Sequence, residues 1–335
     1  METRDCNLPA PFFYKNVMHL SHVISYPIYF LTLIILFREN SRGFGIYKYF
    51  IIIHTFVNMT CETYVSFLML PVTYLPHLMI RTAGILARLG VSGIVQWHIL
   101  AMLVMLTGSS ICEMFYYRFK LCVLDYKSHK MSWILATFVW LFRLLIVIHA
   151  VFATLTTNES LRIEENARTE MLRDFPELPP ETTCYSVAIV VVTDWINIVL
   201  MVMYISTVIL GVTTSVCSVF YMMAYMRRQT QISKTTIKLQ SMLISSLLIQ
   251  GGVHVVMIAA PISGFLYARF YGLSFNELAL FLMMCIAYHG FFSTCAMIIF
   301  TKPIRDRMIF CKKRTPRVRW SLQGAGSGQQ AFGDL

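Results

Sequence analysis

Charge is what this chain has least of. Asp, Glu, Lys and Arg make up 13% of its 335 residues, against 57% that are apolar. An ordinary soluble domain carries about a quarter charged residues, so a water-solvated fold is excluded. Metal-binding patterns are missing as well. There is no Cys-x-x-Cys pair and no His-Glu-x-x-His helix, so no metal site and no cofactor are expected. An intramembrane enzyme would need a nucleophile beside a base, paired Asp residues or a His-rich box. The only Asp near an apolar run is Asp194, at a boundary, and no enzymatic activity is expected.

What fills the chain instead is seven long apolar runs, near 17–37, 49–75, 85–115, 132–155, 194–226, 239–263 and 276–300. Each has the roughly twenty residues a helix needs to cross a hydrocarbon core. The pattern predicts an all-α membrane protein, a seven-transmembrane helix bundle. The run 17–37 lacks a clear small-residue cleavage site and is long enough to span, so it reads as a signal anchor.

Loop charge orients the bundle. The segments after the first, third, fifth and seventh runs hold 19 Lys and Arg residues, from Arg38 to Arg319, and the opposite segments hold eight. Basic residues collect on the cytoplasmic side, so the amino terminus is outside and the carboxyl terminus inside. The net charge of +11 then marks a basic inner face. Nucleic-acid binding would need a solvated basic domain, and none is present. The expected organisation is an extracellular segment 1–16, a helical domain 17–300 with an outer loop 156–193, a basic juxtamembrane segment 301–320 and a disordered tail 321–335.

Most of the nine cysteines lie in the spans or at their inner ends. Cys6 and Cys184 alone fall on the outer side, where oxidation is permitted. They are either one disulfide or two free thiols. The outer loop carries Asn158-Glu159-Ser160, an acceptor pattern for N-glycosylation, whereas Asn58-Met59-Thr60 matches the same pattern inside a span. Residues 158–174 read as a short surface helix. The stretch 187–192 is too short to cross; it covers the mouth of the bundle or extends the fifth helix. His19 and His22 read as interfacial residues.

Two ionisable side chains sit deep in the runs, Glu62 and Arg143. A charge there costs about 2.5–3.5 kcal/mol on insertion scales, so both are expected to face the interior or a partner. They are either a pair of their own, or Arg143 snorkels and Glu62 is protonated. Neutral polar residues are more frequent: Gln96 and His98 in the third run, His149 in the fourth, Tyr204 in the fifth, Gln250 and His254 in the sixth, His289 in the seventh. Such groups either hydrogen-bond between helices or line a small-molecule cavity. Gln96, His98, Tyr204, Gln250 and His254 are the expected ligand-binding set. Gln250-Gly251-Gly252 reads equally as a hinge or as a site of close packing.

At the inner boundary the third run ends in Glu113…Arg118, an acid and a base in a place loosely like the ionic switch of heptahelical receptors. Arg118, Arg227 and Arg228 are expected to face the cytoplasm. After the seventh run, Ile304, Met308 and Cys311 fall on one helical side among basic residues, which fits a helix lying on an anionic leaflet. Cys311 is a candidate for palmitoylation.

These residues resemble a known family. Tyr288-His289-Gly290-Phe291-Phe292-Ser293-Thr294 followed by Lys302-Pro303-Ile304-Arg305 is similar to the seventh-span pattern of nematode serpentine chemoreceptors of the Str superfamily, most like class H, with class I next. Ile24-Ser25-Tyr26-Pro27-Ile28 in the first span, Pro71…Leu75-Pro76 after the second, and Leu89-Gly90-Val91 with Gln96 and Glu113…Arg118 in the third agree in order and place. The resemblance runs from about residue 20 to 310. Ile304 departs from it, standing where the pattern has Tyr. The resemblance implies a G-protein-coupled chemosensory receptor, multi-pass in the plasma membrane of sensory-neuron cilia. It implies a small chemical bound in the outer half of the bundle and a heterotrimeric G protein as partner. A transporter or ligand-gated channel is the alternative, but inverted repeats or a ring of acids are not evident.

Overall fold

The computed structural model describes residues 9–38, 45–75, 79–123, 130–174, 184–189, 194–228, 234–273, 275–301 and 304–305. Seven helical passes build the bundle. They are α1 (Phe12–Arg38), α2 (Tyr47–Thr63), α4 (Gly93–Cys122), α5 (Lys130–Leu155), α7 (Trp195–Arg228), α8 with α9 (Lys234–His254 and Ala260–Phe270), and α10 (Asn276–Phe300). Six of these passes are long and apolar enough by themselves to cross a bilayer. The second pass is more polar, with His54, Asn58 and Glu62 along it, and after Thr63 its helix widens into a π-helical stretch, Tyr64–Met69. A spanning segment must satisfy its backbone polar groups internally, so helices are the form that a bundle of single passes takes.

Two run boundaries differ from the sequence expectation. The run 49–75 is not all helix. Leu70 takes a left-handed conformation at φ 46°, and Pro71, which lacks an N–H, cannot continue a helix. The chain turns there into strand β1 (Pro71–Tyr74). In the third run only a single turn, α3 (Ile85–Arg88), forms before Gly90 breaks it. The spanning helix α4 starts at Gly93 and continues to Cys122, so Glu113 lies more than two turns inside it rather than at its end.

A small antiparallel sheet closes the outer end. Strand β2 (Met79–Thr82) lies between β1 and β3 (Val187–Ile189), with Val72 opposite Arg81 and Ile80 opposite Ala188. Within the apolar stretch at 187–192, residues 187–189 do not extend the fifth helix. They are a strand over the mouth, tied down where Ser186 O accepts from the Thr82 N–H and Tyr185 O accepts from the Gly93 N–H. The surface helix expected at 158–174 is α6 (Thr157–Asp174), and Asn158 is exposed on it.

The sixth pass is irregular, though not at its glycines. Gly251 and Gly252 are α-helical; the π-helical stretch is Val255–Ala259, one turn later. Pro261 follows it and cannot donate to the preceding turn, which accounts for the widened backbone.

Packing divides the interior. One apolar cluster fills the inner half around Leu36, Tyr47, Phe115, Phe119, Met222 and Leu247. Another fills the outer half around Tyr14, Met18, Leu70, Phe265 and Met283. The waist of the bundle is apolar outward too: Trp140 is 66% exposed and Ile209 61%. So much exposed apolar surface is expected only of a protein solvated by lipid.

Candidate functional site

Between the two apolar clusters lies a polar layer joining the second, third, sixth and seventh spans. His54, fully enclosed in α2, accepts at Nε2 from the Asn58 amide at 3.1 Å. That leaves Nδ1 as the protonated nitrogen, donating to Ser110 Oγ at 2.7 Å. The Ser110 hydroxyl in turn donates to Thr107 O. The His54 ring lies 5.5 Å from the ring of His254, which lies 5.2 Å from that of His289. His254 and His289 direct Nδ1 at the carbonyls of Gln250 and Ile286. No group of three metal-ligating side chains is suitably placed among the described residues.

The ionisable residues do not pair as a Glu62–Arg143 bridge. Arg143 reaches Glu113 on the adjacent α4, and Glu62 accepts from Tyr29 Oη of α1 at 2.6 Å. The reason is adjacency: α5 packs on α4 and α7, while α2 packs on α1, α4 and α10. Helix order around the bundle, which depth alone does not give, decides the partners.

Two cavities open above and beside the polar layer. The outer one, about 220 Å³, lies under the sheet. Thr73 and Ile80 form its roof, and Trp97, His98, His149, Asn197, Tyr204 and Phe265 are among its walls. The larger, about 440 Å³, lies between α4, α7 and α8–α9 and includes Tyr204 and His254 in its lining. Among the described residues, no Asp, Glu, Lys or Arg lines either one. His149 is 2% exposed, and neither of its ring nitrogens has a hydrogen-bond partner among the described residues. His98 Nε2 is likewise without one. Buried polar atoms are rarely left unmatched, so these three nitrogens mark the outer cavity as a place for a hydrogen-bonding guest.

The expected ligand set is therefore split. His98, Tyr204 and His254 line cavities. Gln96 does not. It is wholly buried, its Nε2 donates to Val91 O at 2.8 Å, and its backbone carbonyl accepts from Tyr64 Oη. Gln250 is also outside both cavities, its Nε2 donating to Ser246 Oγ, which pairs with Thr301. His149 was visible among the polar residues of the fourth span. Trp97 and Asn197 carry no sequence signal beyond their neighbours His98 and Asp194.

The inner end also differs from expectation. Arg227 and Arg228 are exposed at the end of α7. Arg118 does not face the cytoplasm. It is 1% exposed, with its guanidinium 3.4 Å from the centre of the Tyr47 ring, a cation–π contact that holds it under α2. Cys184 is disulfide-bonded; Cys6 and Cys311 lie outside the described residues.

With this geometry in view, the chain matches the family model of the serpentine type 7TM GPCR chemoreceptor Srh over residues 9–312. The chain belongs to the Srh chemoreceptor family. Neither a curated protein nor a solved structure matches it. The receptor is a multi-pass membrane protein, and class H of the Str superfamily is the correct class. Its seventh-span motif has a packing role. A Cβ added at Gly290 would stand 2.6 Å from Tyr29 Oη and 2.9 Å from Asn58 Cβ. The glycine beside His289 therefore lets α10 close against α1 and α2, which brings His289 into the polar layer.

Proposed function

We propose that this chemoreceptor binds a small neutral molecule in the outer cavity and signals to a heterotrimeric G protein at its inner face. The observation that carries the reading is the pair His98 and His149, three of whose ring nitrogens are unpartnered among the described residues, in a chamber that no charged described residue lines. A guest with one hydrogen-bonding group and an apolar body would satisfy them and fill the rest. Tyr204, shared by both cavities, links that chamber to His254 and the polar layer. Occupancy would favour one arrangement of the fifth and sixth spans over another. On the inner side the exposed Arg227 and Arg228 suit an acidic partner surface, and Arg118 joins them only when Tyr47 moves away. Family membership supports work in the plasma membrane, in sensory cilia.

The test is a ligand screen in cells that express the receptor, read by calcium or cyclic nucleotide. For any activating ligand, His98→Ala and His149→Ala should each weaken potency about tenfold, the scale of one lost hydrogen bond to a buried group. Gln96→Ala and Gln250→Ala should leave potency nearly unchanged at matched surface level. Unchanged potency in both histidine variants would remove the outer cavity as the ligand site.

A further inference from the structure

The outer cavity is roofed where a water-borne ligand would have to arrive. The sheet above it is largely buried and its central strand β2 is paired on both sides, with Ile80 3%, Val187 0% and Ala188 0% exposed. Sideways the bundle is not closed. The fifth span packs on the third and fourth, and the sixth on the seventh and third, while the fifth and sixth scarcely touch. The larger cavity is the crevice between them. Its back wall is one face of α4, where Val104, Gly108, Ile111 and Phe115 recur at helical spacing. Its rims are open at the waist, with Val212 48%, Leu248 44% and Val255 51% exposed. A bilayer faces those rims.

Two glycines keep the crevice empty. A Cβ at Gly108 or at Gly252 would meet nothing within 4 Å. The crevice also adjoins the roofed chamber, since Val104, Tyr204, Ile205, Ile262 and Leu266 line both and only their side chains stand between the two. Among the described residues no charged side chain lines either cavity, so an ion leaving water for this route would lack a compensating partner there.

We infer that the ligand is a neutral lipophilic molecule that reaches the outer cavity from within the bilayer, through the crevice between the fifth and sixth spans. The inference rests on the outer cavity being the ligand site. Molecules of this class concentrate in the hydrocarbon layer by the same transfer free energy that buries apolar side chains. The bilayer thus serves as the reservoir from which the receptor samples.

The experiment uses the full chain in lipid nanodiscs and a probe, a saturated fatty alcohol carrying a mid-chain diazirine. A second probe replaces the hydroxyl by a sulfonate. Samples are photolysed at timed intervals and labelled peptides identified by mass spectrometry. In the wild type the neutral probe should label the α7 rim first and the α4 segment around Trp97 and His98 later, and the sulfonate should label neither above background. Gly108→Leu and Gly252→Leu put a side chain into the crevice from opposite walls at sites with room for it. In each, labelling of the outer cavity should slow roughly tenfold, because access then needs a conformational change. Outer-cavity labelling that precedes the rim, that is equally fast in a folded Leu variant, or that the sulfonate matches would overturn lateral access and leave the ligand site standing. Rim labelling with none in the outer cavity of the wild type would overturn both readings. The wild-type time course decides the matter even if neither variant folds.

Discussion

Arg143 of the fourth span forks onto Glu113 of the third, Nε to Oε1 at 2.6 Å and Nη2 to Oε2 at 2.8 Å. The guanidinium also lies 4.7 Å from the centre of the Trp140 ring. A bidentate pair of this kind is strong in a medium that offers no water. Removing one partner leaves a charge in hydrocarbon, whereas removing both leaves none. Arg143→Leu and Glu113→Leu should each cost about 3 kcal/mol, and the double variant should recover most of the loss. The folded fraction by fluorescence-detected size exclusion checks this. A double variant as poor as the singles would show that the pair does more than neutralise itself.

Gly290 is the tightest crossing in the seventh span. Gly290→Ala pushes a methyl into Tyr29 Oη and Asn58 Cβ, two atoms held by the hydrogen bonds of Glu62 and His54. Overpacking of this kind costs about 1–3 kcal/mol. The thermal midpoint in detergent should drop by several degrees, against little change for Gly252→Ala, which has open space.

Tyr47 covers Arg118. Tyr47→Leu removes the ring and its cation–π contact, worth up to about 2 kcal/mol when desolvated. Arg118 should then become reactive to a water-soluble arginine reagent applied from the inner side, as the exposed Arg227 and Arg228 should be already in the wild type. Peptide mapping reads the difference, and an Arg118 still protected in Tyr47→Leu would assign the shielding to another residue.

The outer face carries a pH-sensitive contact. Glu164 of α6 accepts from Arg168 and from the Ile189 N–H of β3, each at 3.2 Å. Burial pushes its carboxyl up to about 7, with Arg168 and the Ile189 N–H pulling the other way. A folded pKa above the unfolded value of 4.5 favours the folded state most when the group is protonated. The contribution is complete below pH 4.5 and disappears as pH rises through 7, on the order of 3 kcal/mol in all. Hydrogen exchange at β3 should therefore quicken between pH 5 and 8 beyond its intrinsic rise. Glu164→Gln should remove that excess.

Cys184 is disulfide-bonded, and Cys6 is the other outer cysteine of the chain. A non-reducing peptide map should join their two peptides. Cys6→Ser should then lower stability by about 2–4 kcal/mol and free Cys184 for alkylation.

The sequence by itself determined that this is a seven-pass membrane protein, and it determined the sidedness and the family. Each of these depends on local or additive properties: twenty apolar residues in a row, the sum of Lys and Arg at the span ends, and a seventh-span motif in linear order. Only the tertiary structure decided which polar residues meet. Gln96 and His98 are two positions apart, so they point to nearly opposite sides of α4. One is buried near Tyr64 of the π-helical stretch after α2 and the other looks into the outer cavity. Gln250 and His254 share a helix face, yet Gln250 reaches Ser246 while His254 borders the crevice. Arg143 found Glu113 rather than Glu62 because the fourth span lies against the third. An apolar run specifies that a helix crosses the bilayer; its rotation and its neighbours come from packing, and those set every partner in the site.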